Sequence, residues 1–218
     1  MWRNNGLSIA LLVMFGISFA GQAATGWKVL NSERQQHGHQ SISFSSYLGS
    51  GHFWEATGEN WESEFLQMAV FVLLTTFLYQ KGSAESKRIG AVEDMDLDPR
   101  RFRDLPDVPG PVRQGGWRLT LYENSLGLTF IVLFVISIAI HAGGGLLDHN
   151  AADAAHGEEP RRLVEYLSSA DFWFESFQNW QSEFLSLAGM VIGTIWLRQR
   201  GSAESKPVHA AHDETGRS

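Results

Sequence analysis

The chain has 218 residues, 44% hydrophobic and 19% charged, with 17 Lys and Arg against 24 Asp and Glu for a net charge of −7. That length allows one or two domains, and an acidic balance carries no footprint for nucleic acid, so no nucleic-acid partner is expected. Cysteine is absent, which excludes disulfides, thiol nucleophiles and cysteine-ligated metals.

In chain order, the first element is an uncharged run over residues 7–24. Arg3 before it and Gly21-Gln22-Ala23 after it fit a signal peptide. A mid-chain copy of the same segment argues that the run is instead a retained membrane span. Gly16 and Ala20 give this span a small-residue face for close helix approach. The second run, residues 65–79, follows NWESEF at 60–65. The third covers 126–142, and the fourth, 184–197, follows NWQSEF at 179–184. A bilayer core of ~30 Å needs ~20 mostly apolar residues. Extending the second and fourth runs to Trp61 and Trp180 restores that length, because indoles favour the headgroup level. Spans are therefore expected at 7–24, 61–80, 124–142 and 180–198, with Trp54, Trp61, Trp173 and Trp180 as interfacial anchors. Gly189 and Gly193 form a GxxxG pair in the fourth span.

A shift of 119 carries GSAESK at 82–87 onto GSAESK at 201–206, and NWESEF onto NWQSEF. It also carries His37-Gly38, Tyr47-Leu48 and Phe53-Trp54 onto matching pairs, and 34 of the 83 positions from 5 to 87 are identical without a gap. This is an internal duplication. The fold expected is all-α: an integral membrane four-helix bundle of two parallel tandem repeats, with amphipathic helices on the outer surface. Repeat 1 is 1–87 and repeat 2 is 119–206. Between them, 88–118 is a flexible cytoplasmic linker, and 207–218 is a cytoplasmic tail.

The termini, linker and tail hold 13 Lys and Arg, whereas the two segments between paired spans hold Lys28, Arg34, Arg161 and Arg162. Excess basic residues mark the cytoplasmic side, so both termini and both GSAESK copies are expected inside. The outer segments carry 13 acidic residues, for a net −9.

On this topology NWESEF opens a helix at the outer surface. Asn60 would cap it and Glu62 would fall in its first turn. Asn60, Ser63 and Glu64 share one face, as do Asn179, Ser182 and Glu183 in the second copy. These six form a candidate paired polar site for a cation or proton; plain capping and anchoring explains the same residues. Glu64 recurs as Glu183, whereas Glu62 becomes Gln181. The histidines lack ligand spacing, so no metal is expected; His37, His141 and His156 are the weak candidates. No cofactor is expected.

NWESEF, NWQSEF and the doubled GSAESK, above all FWFESFQNWQSEFL followed by RQRGSAESK, resemble a family of uncharacterised bacterial multi-pass membrane proteins with four spans. The resemblance implies a cytoplasmic (inner) membrane location and carries over no catalytic residues. There is no nucleophile with a base and no metal constellation, so the reading leans against an enzyme. A membrane interaction or envelope-structure protein is expected, with the bilayer and a second copy or another membrane protein as partners. A small cation- or proton-linked transporter or channel is the alternative.

Overall fold

The computed structural model describes residues 2–216, without the side chains of Trp2, Arg3 and His156. The described chain is all helical. Its helices are α1 Trp2–Gln36, α2 Phe44–Leu48, α3 Gly51–Leu74, α4 Gly110–Gln114, α5 Gly116–Glu123, α6 Ser125–His156, α7 Leu163–Leu167 and α8 Ala170–Trp196. The segment expected as a flexible connector contains 3-10 turns at Asp94–Asp96 and Pro99–Phe102, then α4 and α5.

Among the described residues two helices are long and apolar enough to cross a membrane, Asn4–Gln36 and Ser125–Ala155. At 1.5 Å per residue each exceeds the ~30 Å hydrocarbon core. The other two expected spans, 61–80 and 180–198, are not among these two. The α3 helix ends at Leu74, not at 80. Thr75 and Thr76 turn their hydroxyls back onto the carbonyls of Phe71 and Leu73, and the amides of Thr76 and Phe77 bond three residues back. That tightening ends the α-helical ladder. The uncharged part of α3, 65–74, is therefore only about 15 Å long.

The start of α3 is corrected too. It begins at Gly51, with the Ser50 hydroxyl accepting the Phe53 amide, so NWESEF lies in mid-helix. Asn60 does not cap; its side-chain amide donates to the Ala56 carbonyl one turn back. α8 likewise begins at Ala170, with Ser169 accepting from Phe172. In α2 and α7 the tyrosines, Tyr47 and Tyr166, are fully buried, while Phe44, Leu163 and Val164 are exposed.

The chain divides into two compact units. The first comprises residues 1–60 and 137–174; the second comprises 61–136 and 175–218. The division cuts across the two sequence copies.

The core of the first unit is built twice. Ala23, Tyr47 and Phe53 pack together, and so do Ala142, Tyr166 and Phe172, each 119 residues on. In both clusters the tyrosine hydroxyl presses on helix backbone. A Cβ added to Gly26 would stand 2.1 Å from the Tyr47 hydroxyl, and one added to Gly145 would stand 2.0 Å from that of Tyr166. The loops repeat as well. Asn31 donates to the Ile42 carbonyl and accepts from its amide, and Asn150 does the same with Arg161. Close helix approach falls to glycines that sequence reasoning passed over. A Cβ on Gly58 would meet the His141 amide nitrogen at 2.3 Å, and one on Gly144 the Glu55 amide nitrogen at 2.3 Å. Gly16 and Gly189 have open space beside them, and a Cβ on Gly193 would meet only Leu197, just past the end of α8. Ala20 is exposed.

Both GSAESK segments fold as the same turn. Gly82 and Gly201 take φ of 86° and 84°, which favours glycine. The next serine, Ser83 or Ser202, accepts the amide two residues on. The last serine, Ser86 or Ser205, accepts the amide of Gln80 or Gln199. Both recurring serines of each copy therefore close their own turn.

Candidate functional site

Within the second unit, the helical stretch after Trp61 carries three buried polar side chains: Glu62 at 0% exposure, Ser63 and Gln67. On α8, Ser176 and Trp180 are one turn apart and share a face. The Ser176 hydroxyl donates to Glu62 Oε1 at 2.8 Å, and the Trp180 indole N–H donates to the same oxygen at 3.2 Å. One turn further along, Gln67 Nε2 donates to the Glu183 carbonyl at 2.6 Å and to Ser186 Oγ at 3.1 Å. Phe134 and Phe177 stand around the Trp180 ring. Taking a carboxylate out of water is costly unless hydrogen bonds replace its hydration, and the serine and indole donors do so here.

The expected site residues are placed as follows. Asn60 belongs to the first unit and is exposed. In the second unit Ser63 is buried, Glu64 exposed and Glu183 half-buried. Asn179 donates back to the Glu175 carbonyl and Ser182 to that of Asn179, both within their own helix. The fully buried carboxylate is Glu62, which the repeat argument had set aside because its partner is Gln181. Gln181 is exposed. A long-range pairing of this kind leaves no mark on a single sequence beyond the difference between the copies.

Of the expected anchors, Trp54 and Trp173 are each 40% exposed, while Trp61 is half-buried. Trp173 donates its indole N–H to the Leu167 carbonyl. Trp180 aims its N–H at Glu62 rather than at a headgroup. His37 is exposed and bonds the Glu33 carbonyl. His141 is fully buried, stacked on Phe172 at 4.8 Å. The side chain of His156 lies outside the described residues. Among the described residues no group of three or more His, Asp or Glu is placed to hold a metal ion.

The first unit holds a second polar group. The Tyr166 hydroxyl donates to Glu55 Oε1 at 3.2 Å, and His149 Nδ1 lies 3.7 Å from the same oxygen. Burial, then the charge of Asp148, pushes the Tyr47 hydroxyl above its usual range. In the second unit the 3-10 turn beside the first GSAESK is held by ion pairs. The Arg88 guanidinium, hydrogen-bonded to Glu93, holds that carboxyl at about 2. Lys87 holds the Asp96 carboxyl below its usual range. Lys206 is 1% exposed and donates to the carbonyls of Ala211, His212 and Glu214; burial, then Arg198, lowers its ammonium. The same tail segment reaches the first GSAESK: Thr215 accepts the Gly82 amide, and the Gly216 amide donates to the Ser83 carbonyl.

Comparison with curated proteins and with solved structures finds no match. A family model described as a domain of unknown function, DUF6766, matches residues 1–217. The expected resemblance thus stands at the level of a family of unknown function. Matched over nearly its whole length, the chain belongs to the DUF6766 family.

Proposed function

We propose that the chain is a four-span protein of the bacterial cytoplasmic membrane, with both termini inside, that serves as an interaction or envelope-structure component. The observation that carries this reading is the bare apolar surface of α1. Only 6% of its apolar window is buried within the molecule, and Leu7, Leu12 and Ile17 are each more than two-thirds exposed. An apolar stretch of that length demands lipid or a partner. The shorter α3 and α8 would cross with their aromatic and polar ends in the headgroup layers. The 13-to-4 asymmetry of basic residues supports the orientation. Cysteines placed at Ser45 and Ser168 should react with an impermeant thiol reagent on intact cells, and one at Asp104 should not. The reverse pattern would overturn the orientation, and release of the chain by alkaline carbonate would overturn membrane integration.

A second reading, a cation- or proton-linked activity, is favoured by Glu62. A buried carboxylate on a membrane helix is by default a functional candidate. Flux in proteoliposomes that disappears with Glu62→Gln, while Gln181→Ala leaves it intact, would select this reading over the structural one.

A further inference from the structure

In the second unit a groove of about 580 Å³ lies between the end of α3, the whole of α5 and the first turns of α6. Its walls are Leu73, Trp117, Leu121, Leu128 and Ile131, each 38% exposed or more. Gly127 also lines it, where a Cβ would make ordinary contact with Leu73. Thr120 and Asn124 supply its polar edge. Further exposed apolar residues follow on α6, including Leu126, Val132 and Val135. Arg118 lies over the Trp117 ring at 5.6 Å. Residues 100–118 hold five arginines, at 100, 101, 103, 113 and 118, against Asp104 and Asp107, and all five are exposed.

We propose that this groove is a binding site for one anionic phospholipid of the cytoplasmic leaflet, its acyl chains between Leu73, Leu121 and Leu128 and its phosphate beside Arg118 and Arg113. Resting on the membrane reading above, the proposal adds a specific ligand to it. The occupant must be apolar at one end and anionic at the other. The walls require the first property and the arginine excess the second. Basic residues clustered beside the cytoplasmic end of a span attract anionic lipid, and tryptophan at a groove mouth suits the headgroup level. Arg100 and Arg103 already face Asp98 and Asp104. Arg113 and Arg118 bond only the neutral Pro106 carbonyl and Gln114, so a neutral lipid would leave those two without a counter-charge. A soluble acidic partner would leave the walls bare.

The test uses the full chain, delipidated in detergent and titrated with phosphatidylglycerol or phosphatidylcholine under native mass spectrometry. One phosphatidylglycerol should be retained at least about tenfold more tightly than phosphatidylcholine. Thr120→Trp, which fills the groove from an exposed position, should abolish retention of either lipid, and Leu121→Gln should weaken it. Arg113→Gln with Arg118→Gln should lower phosphatidylglycerol to the phosphatidylcholine level. Equal binding of the two lipids, or binding unaffected by these variants, overturns the proposal. So does a dimer that Thr120→Trp converts to monomer, which would make a second copy the occupant. Carbonate extraction separates the two failures: a chain that stays in the pellet but shows no lipid preference refutes only the lipid site.

Discussion

The two units treat the internal duplication in opposite ways. In the first, identical residues make identical contacts. Tyr47 and Tyr166 fill equivalent cores, Gly26 and Gly145 make room for their hydroxyls, and Asn31 and Asn150 pin equivalent loops. In the second, the two GSAESK turns still match, but other equivalent contacts part company. Glu62 is buried against Ser176 and Trp180 while Gln181 is exposed. Ser83 is buried and bonded to Thr194, while Ser202 is half-buried. Lys87 pairs with Asp96 while Lys206 grips three carbonyls of the tail. A duplicated chain retains its scaffold in duplicate and differentiates where one copy has a task the other lacks. The asymmetric seam, not the symmetric core, is the place to look for activity.

The largest expected effect breaks the asymmetry. Glu62→Ala removes the acceptor of two buried donors and should destabilise the protein by about 2–4 kcal/mol. Gln181→Ala, at the exposed counterpart, should stay within about 0.5 kcal/mol. Thermal unfolding in detergent reads both, and equal effects would remove the contrast. Next come substitutions that probe the symmetry itself. Gly26→Ala and Gly145→Ala each force a methyl into a tyrosine hydroxyl and should cost about 1–3 kcal/mol. Pairing each with its Tyr→Phe partner should recover part of the loss, in both copies alike. Smaller again, Asn31→Ala and Asn150→Ala each leave one half-buried loop amide without its partner. We expect about 1–2 kcal/mol from each, with additive effects if the two loops act independently.

The smallest effect is local and depends on pH. Glu93 has its carboxyl at about 2 instead of the ordinary 4.5 because Arg88 donates to it. A depressed carboxyl stabilises the fold above pH 4.5, and that contribution fades as the pH falls from there towards 2. Amides of residues 88–97 should therefore exchange faster with solvent through that window, and Glu93→Gln should exchange fast at every pH. An unchanged pH response in the variant would assign the loosening to another group.

Much of this was legible in the residues. The duplication, the all-helical class and the two longest apolar helices follow from periodicity and composition, which act locally. Helix starts were misplaced by ten residues at NWESEF, because the apolar boundary was taken as the helix boundary while Ser50 and Ser169 set the actual caps. Glu62 was missed for a different reason. Its environment is made by Ser176 and Trp180, more than 110 positions away, and nothing within one turn of Glu62 announces them. The packing glycines, Gly58 and Gly144, share that difficulty: each is defined by the backbone of another helix. Gly189 and Gly193 show the converse, a familiar pattern in which a Cβ on Gly189 would meet nothing and one on Gly193 only Leu197.

The hold of the tail on the first GSAESK turn has a consequence for biosynthesis. Thr215 binds Gly82 across 133 residues of sequence, so the turn at the end of α3 is made long before the group that completes it. At the ~5–20 residues per second of translation, that wait is roughly 7–27 seconds. During that interval the first turn is exposed to whatever insertion machinery or partner is at hand. A bulky fusion placed directly after Gly216 would act on this late step, which makes the position of a C-terminal tag an experimental variable in its own right.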